Sequence, residues 1–267
     1  MKHFEIGEVR SPKDSDFVTF TKLCDDNEDF DEVYNKNDVS VFVKSTSYSS
    51  FKMFKVRGIL KVNALVMYNT LHDADYRSTW DKNLMEGFQI CRVESNSDIG
   101  YYAMKSPLAF KNRDFVTQRC WRVSDNEFAI FNHSVFHKAY PPKKQFVRAI
   151  SYVTGYLLRP IDENTTEMTY VTQSNPRGSI PSWAINKAAK FVVPKIVHRF
   201  QKAAIHYPAW KKQNNPNFMP WSNMGVWTTP MINWNDILFQ PDVDIAVNVE
   251  ENHVTENGND IDDLDID

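Results

Sequence analysis

The sequence predicts an α+β domain in which a large antiparallel sheet grips a long C-terminal helix. Three observations predict it. Over residues 86–174, short strand-like runs alternate with short polar spacers such as 95–98 and 162–164, the pattern of an antiparallel meander. Helical stretches precede that run, and one long helical stretch follows it. The 267 residues, 42% of them hydrophobic, suffice for one domain with a sizeable core.

In chain order, a first helix is expected over 14–31. Phe17, Phe20, Leu23 and Cys24 lie near helical spacing, and Asp14 or Ser15 suits the N-cap. Strands follow at 39–48 and 53–62. A second helix starts after Asn63, a good cap, with Ala64, Met67, Tyr68 and Leu71 on one face. A short helix continues over 76–82. Strands are expected at 87–93, 100–105, 114–123, 128–136, 146–158 and 166–173. In 146–158, Phe146, Ile150, Tyr152, Tyr156 and Leu158 fall on one face.

The long helix starts at Pro181, whose fixed φ suits the first turn. Ile185, Ala188, Ala189, Val192, Ile196 and Phe200 form its apolar stripe, with Lys187, Lys190, His198, Arg199 and Lys202 mostly elsewhere. Pro194 is expected to kink it. The chain thus divides into an N-terminal extension (1–14), a domain (15–213) and a tail (214–267). The tail is rich in Asn and Pro, then acidic, and is expected to be disordered.

The net charge of −3 hides an asymmetry. Residues 236–267 carry 11 acidic residues and no Lys or Arg, and residues 1–40 carry 11 acidic and 5 basic. That leaves 12 acidic and 26 basic residues in 41–235. A basic body between acidic ends suits an anionic partner. By charge alone that partner is either nucleic acid or an anionic membrane surface, each Lys or Arg near such a surface contributing about 1 kcal/mol. No apolar stretch is long enough to span a bilayer, and charges stand where a signal peptide has its apolar core. Cys24, Cys91 and Cys120 are far apart and read as reduced thiols. A cytoplasmic, transiently membrane-associated monomer is expected.

Catalytic patterns are missing. The sequence has no G-x-S-x-G elbow, no glycine-rich phosphate loop and no H-E-x-x-H. His133 and His137 lack an obvious third ligand, and His72-Asp73 reads as a helix end. The expectation is a protein that is no enzyme and holds no metal or cofactor.

Three stretches are more specific: Asp75-Tyr76-Arg77-Ser78-Thr79-Trp80-Asp81; Gly100-Tyr101-Tyr102 followed by Lys111-Asn112-Arg113-Asp114-Phe115; and Asn175-Pro176-Arg177-Gly178-Ser179-Ile180-Pro181-Ser182-Trp183 before the long helix. At this order and spacing, over roughly residues 20–213, the chain closely resembles the StAR-related lipid-transfer (START) family, nearest its phosphatidylcholine-carrying subgroup. The stretch KAYPPKKQFVR at 138–148 resembles that subgroup too. The resemblance implies a helix-grip fold with an internal lipid cavity and the C-terminal helix as lid. It also implies a cargo of one phosphatidylcholine or phosphatidylethanolamine, exchanged between membranes, so that the anionic partner is expected to be a membrane surface and not nucleic acid. Two acyl chains hold roughly 30 methylenes at about 0.8 kcal/mol each, so a carrier must shield about 24 kcal/mol of apolar surface.

By the same resemblance, Arg77 holds the lipid phosphate with Asp81 as its acidic partner. Four residues apart on a helix, the two share a face. Tyr102, Phe115 and Tyr152 match an aromatic cage for the amine. The pattern departs at Leu71, where the choline carrier has an aromatic, and at Thr154, where it has a longer amide. An incomplete cage leaves room for ethanolamine. Leu71, Met104, Val192, Ile196 and Phe200 are expected along the cavity and lid, and Lys187, Lys190, Arg199 and Lys202 towards the membrane. Other readings stay open: a sterol or ceramide carrier, an acyl-thioester hydrolase, or a lipid sensor acting through a partner protein.

Overall fold

The computed structural model describes residues 5–106, 110–124, 126–180, 182–222 and 226–239; within 182–194 it describes the helical backbone and not the side chains. Helix α1 (Asp14–Asp25) is capped by Lys13, to whose amide the Asp16 carboxylate reaches back at 2.7 Å. It ends six residues earlier than expected because two cations gather its last carbonyls. Lys55 Nζ donates to Leu23 O (3.1 Å) and Asp26 O, and Arg57 Nη2 donates to Cys24 O (2.7 Å) and Asp25 O (2.8 Å).

Strands β1 (Asp31–Lys36), β2 (Val39–Thr46) and β3 (Ser49–Leu60) follow. β1 was not foreseen. It is an edge strand with almost no buried side chain, so it carries no apolar alternation to detect. Asn37 and Asp38, at φ 53° and 60°, form the tight two-residue turn that joins it to β2. Helix α2 (Ala64–His72) starts as expected, with the Asn63 carboxamide oxygen accepting from Leu65 N (2.9 Å) and Val66 N (3.3 Å). Next come α3 (Ala74–Trp80), β4 (Leu84–Glu94), β5 (Ser97–Met104), β6 (Asn112–Val123), β7 (Phe128–Ser134), β8 (Phe136–His137), β9 (Phe146–Arg148), β10 (Ile150–Asp162) and β11 (Thr165–Asn175). α4 (Ser182–Gln213) runs as one helix through Pro194 and Pro208, and β12 (Ile237–Leu238) closes the described chain.

The sheet order is β1-β2-β3-β11-β10-β7-β6-β5-β4, antiparallel throughout, with β9 added parallel to β6. Its two faces bury different helices. On the inner face Val56, Trp121, Ile130, Leu158 and Met168 pack against Met67 and Tyr68 of α2 and Val197, Phe200 and Ala204 of α4. On the outer face Phe17, Phe20 and Cys24 of α1 pack against Phe131, Val153, Leu157 and Val171. Gly58 sets the height of α4: a Cβ there would lie 2.7 Å from Val197 Cγ1. The helix can therefore rest on the bare backbone of β3. This is the helix-grip arrangement that was expected.

Two expectations change. Residues 146–158 are not one strand. Arg148 turns into the Asp114 carboxylate through two 2.9 Å bonds, and the Ala149 amide donates to Asp114 O (3.0 Å). That buried pair breaks the run, so Phe146 packs outside with Ile99 and Tyr101 while Tyr156 and Leu158 face the inner core.

The extension and the near half of the tail are parts of the domain. Gly7 N donates to Ser134 O (3.0 Å), and Gln118 exchanges bonds with the Arg10 backbone at 2.6 and 3.3 Å. Beyond α4, Trp221 Nε1 donates to Asn69 Oδ1 (2.9 Å), Trp227 stacks on Trp121 (5.9 Å), and β12 pairs with β8. Residue 92 of edge strand β4 exchanges 2.8 Å backbone bonds with Pro230 and Ile232. Asn and Pro richness masked the apolar side chains that pin this strap and cover a sheet edge. The acidic stretch 240–267 lies outside the described residues.

Candidate functional site

The site starts on α3. Asp73 caps that helix, accepting from Tyr76 N at 3.1 Å, and so aims Arg77 across the inner face. Arg77 Nε and Nη2 lie 3.0 and 2.9 Å from Asp81 Oδ2, while Asp81 Oδ1 accepts from the Asn83 amide at 3.2 Å. Asp81 is buried, whereas the Arg77 side chain keeps 35% of its surface accessible. Burial works against the Arg77 charge, but Asp81 outweighs it, leaving the pKa above the ordinary arginine value. The guanidinium lies 5.7 Å from the Tyr102 ring centroid and Nη2 lies 3.9 Å from Met104 Sδ.

Tyr102 and Phe115 are direct partners across β5 and β6 and stack at 4.7 Å and 14°. Tyr152 does not join them. It sits at an irregularity of β10 between Ser151 and Val153 and meets Tyr48 edge-on at 5.6 Å. β7 separates β10 from β6, a spacing of about 10 Å. The three aromatics therefore form a stacked pair and a separate ring.

Thr154 Oγ1 lies 2.9 Å from Thr172 Oγ1 and 3.1 Å from Ser151 Oγ. Leu71 and Ile196 pack against the inner core. Phe200 of α4 meets Trp80 (5.7 Å), Tyr156 (5.5 Å) and Tyr170 (6.3 Å). Arg199 is half-buried and Lys202 exposed. The side chains of Val192, Lys187 and Lys190 lie outside the described residues.

Strand alternation adds residues that were missed. The register that pairs Tyr102 with Phe115 also pairs Asp98 with Arg119, Arg119 with Asn132, Asn132 with Thr154 and Thr154 with Thr172. A polar row thus crosses the inner face. Arg119 grips Asp98 through both carboxylate oxygens, at 3.1 and 2.5 Å, and Gln89 Nε2 adds a 2.7 Å bond. The period-two pattern of β5 and β6, counted back from the aromatic pair, was the signal available.

Next to the row, Tyr156 and Tyr170 stack at 4.9 Å. Tyr102, Tyr156 and Tyr170 are only half-covered, yet burial pushes their hydroxyl pKa values up. Tyr156 and Tyr170 stand between the sheet and Phe200 of α4 and still keep accessible surface, so a hollow opens between sheet and helix. The hollow combines a cation at one wall, a polar row on the floor and aromatic or aliphatic walls elsewhere. Such a site suits an amphiphile with an anionic group. At its edge His72 is buried, held neutral because burial depresses its pKa, and stacked on Trp221 at 5.5 Å. Among the described residues no three His, Cys, Asp or Glu are grouped to hold a metal, and no helix is long and apolar enough to cross a membrane.

Comparisons with known proteins agree with this geometry. The START domain model matches residues 18–211. START domain-containing protein 10 of Mus musculus is 36% identical over 251 residues, covering 93% of this chain and 86% of that protein. The phosphatidylcholine transfer protein of Mus musculus is 27% identical over 159 residues, covering 58% of this chain and 73% of that one. The crystal structure of human STARD10 superposes with a TM-score of 0.83 at 36% identity, covering 87% of this chain and 96% of that one.

Proposed function

Because the chain belongs to the START domain family, we propose that it encloses one phosphatidylcholine or phosphatidylethanolamine between its sheet and α4 and exchanges it between membranes. The observation that carries the reading is Arg77, a permanent cation braced by Asp81 beside a half-open aromatic hollow. A planar guanidinium suits a phosphodiester, and its free donors remain available while one carboxylate oxygen holds the other two. Tyr102 and Phe115 supply a π surface next to the phosphate position for the amine. Thr154 adds a hydroxyl from the polar row on β10, while Tyr152 stands apart with Tyr48. With a stacked pair in place of a closed cage, the site takes ethanolamine as well as choline. Carriage of this kind breaks no covalent bond, so the protein is no enzyme. One chain carries one lipid, in the cytoplasm and in passing contact with membranes.

Native and denaturing mass spectrometry of the purified protein tests this. One phosphatidylcholine or phosphatidylethanolamine per chain supports it. A sterol, a ceramide, or an empty protein that takes up no phospholipid from vesicles overturns it.

A further inference from the structure

Asp73 is the residue where α2 ends and α3 begins. Its backbone and its two carboxylate oxygens are committed in different directions. The Asp73 amide donates to Asn69 O (3.1 Å), closing α2, and the Asp73 carbonyl accepts from the Arg77 amide (2.9 Å), opening α3. Oδ1 accepts from Tyr76 N at 3.1 Å and caps α3. Oδ2 turns the other way and accepts from Tyr207 Oη (3.1 Å) and Lys211 Nζ (2.8 Å) of α4. Tyr207 and Lys211 stand one helical turn apart and so reach Asp73 from the same face of α4.

The junction is dry: Asp73 and Tyr207 are each 3% exposed and Lys211 8%. An ion pair this far out of water holds only because each charge offsets the other's desolvation and further hydrogen bonds are made. Lys211 Nζ also donates to Phe218 O (2.9 Å) and lies 5.7 Å from the Trp221 ring centroid, so the strap closes over the pair. A second tie runs beside the first, from Tyr76 Oη to Ala203 O at 2.7 Å. α3 has seven residues, too few to keep a helix in water without such ties. The place of the Arg77 guanidinium therefore depends on where α4 holds α3.

We propose that Asp73 is a positioning residue that ties the phosphate grip of Arg77 to the seating of α4. The inference rests on the carrier reading above and adds how the grip is set and released. With α4 seated, Lys211 and Tyr207 hold Asp73, Asp73 holds the first turn of α3, and Arg77 is aimed into the hollow. When α4 lifts from the sheet, the same carboxylate loses its partners, α3 loses its outer support and the phosphate grip slackens. The headgroup site and the gripping helix are thus coupled through an unbroken chain of bonds that has two arrangements, joined and parted.

The test is phosphatidylcholine transfer between vesicles by the full chain, with urea denaturation of the same preparations. K211M removes the ammonium and strands a buried carboxylate, so its urea midpoint is expected to fall. D73N/K211M strands no charge, keeps an N-cap on α3 and is expected to recover most of that loss. Both variants are expected to slow transfer roughly 2- to 30-fold. In the R77Q background, itself slow, the same changes are expected to alter the rate by less than about twofold, because the group that Asp73 aims is gone. Transfer by D73N/K211M at the wild-type rate, or slowing by the same factor in the R77Q background as in wild type, overturns the coupling and leaves Asp73 a purely structural residue. Wild-type transfer by R77Q alone sinks the phosphate site of the carrier reading and this inference with it. A slow R77Q on which K211M acts in full sinks this inference and leaves that reading intact.

Discussion

Arg77 and Asp81 stand one helical turn apart with Nη2 and Oδ2 2.9 Å from each other, so that each charge in the hollow has a partner before any ligand arrives. Arg77→Gln removes the proposed phosphate donor and leaves Asp81 buried beside an uncharged amide. Losing a charge-assisted bond slows phosphatidylcholine transfer between vesicles roughly 10- to 100-fold. Arg77→Lys, a point charge without the fork, is expected to fall between. The double variant R77Q/D81N unfolds later in urea than R77Q, because no carboxylate is stranded, yet transfers no faster. Transfer by R77Q at the wild-type rate would remove Arg77 from the site.

What was legible in the sequence follows from where the physics is local. Asn63 as a cap and the Arg77–Asp81 spacing depend on neighbours within one or two turns, and both appear as read. The meander was legible because alternation and polar spacers repeat. Non-local facts were not. Nothing near Arg148 announces that its guanidinium will find Asp114 across the sheet and split a strand. The bulge at Tyr152, which sends that ring to Tyr48, depends on how β10 fits two neighbours at once. Trp221 and Trp227 carry no local signal in the Asn- and Pro-rich tail, because their partners, His72 and Trp121, are about 100 residues or more away.

The strap formed by that tail makes a direct prediction. A chain ending at Gln213 loses the buried Trp221, the Trp227–Trp121 stack and the backbone bonds to β4, and exposes His72. Removal of a buried Trp side chain alone costs about 3–5 kcal/mol. Urea denaturation is expected to show a loss at least that large, while a chain ending at Phe239 keeps every contact described above and matches wild type. Equal stability of the shorter chain and wild type would mean that the strap is not part of the domain's cooperative unit.

Gly58 and Val197 offer a cleaner test of the grip. A Cβ at 58 would meet both Val197 methyls, at 2.7 and 2.8 Å. Gly58→Ala therefore costs about 1–3 kcal/mol of overpacking, although alanine suits a strand better than glycine does. Val197→Ala in the same chain makes room for the added methyl. In a double-mutant cycle the two changes together are expected to cost clearly less than the sum of each alone. An additive pair would show that α4 does not rest on β3 at this point.

Stability is expected to fall on mild acidification, and two buried histidines set the window. Burial depresses His133 to about 4, against the opposing bond to Glu8 O at 2.7 Å, and holds His72, which also faces Arg119, well below its ordinary value. Each titrates near 6.5 once unfolded. Between those values the unfolded chain binds more protons than the folded one, so stability is complete above about pH 6.5 and is lost as the pH falls towards 4. For His133 the loss is about 3 kcal/mol across that range. Asp25, held down chiefly by Arg159, works in the same direction but begins to lose its contribution only near pH 4. Urea midpoints at pH 7.5, 5.5 and 4.5 read the effect. His133→Gln keeps a donor for the Glu8 carbonyl without the titration, and His72→Phe keeps a ring against Trp221, so each is expected to flatten the profile. A wild-type midpoint that stays level from pH 7.5 to 4.5, or variants that fall as steeply as wild type, would mean that these two rings are not what acid acts on.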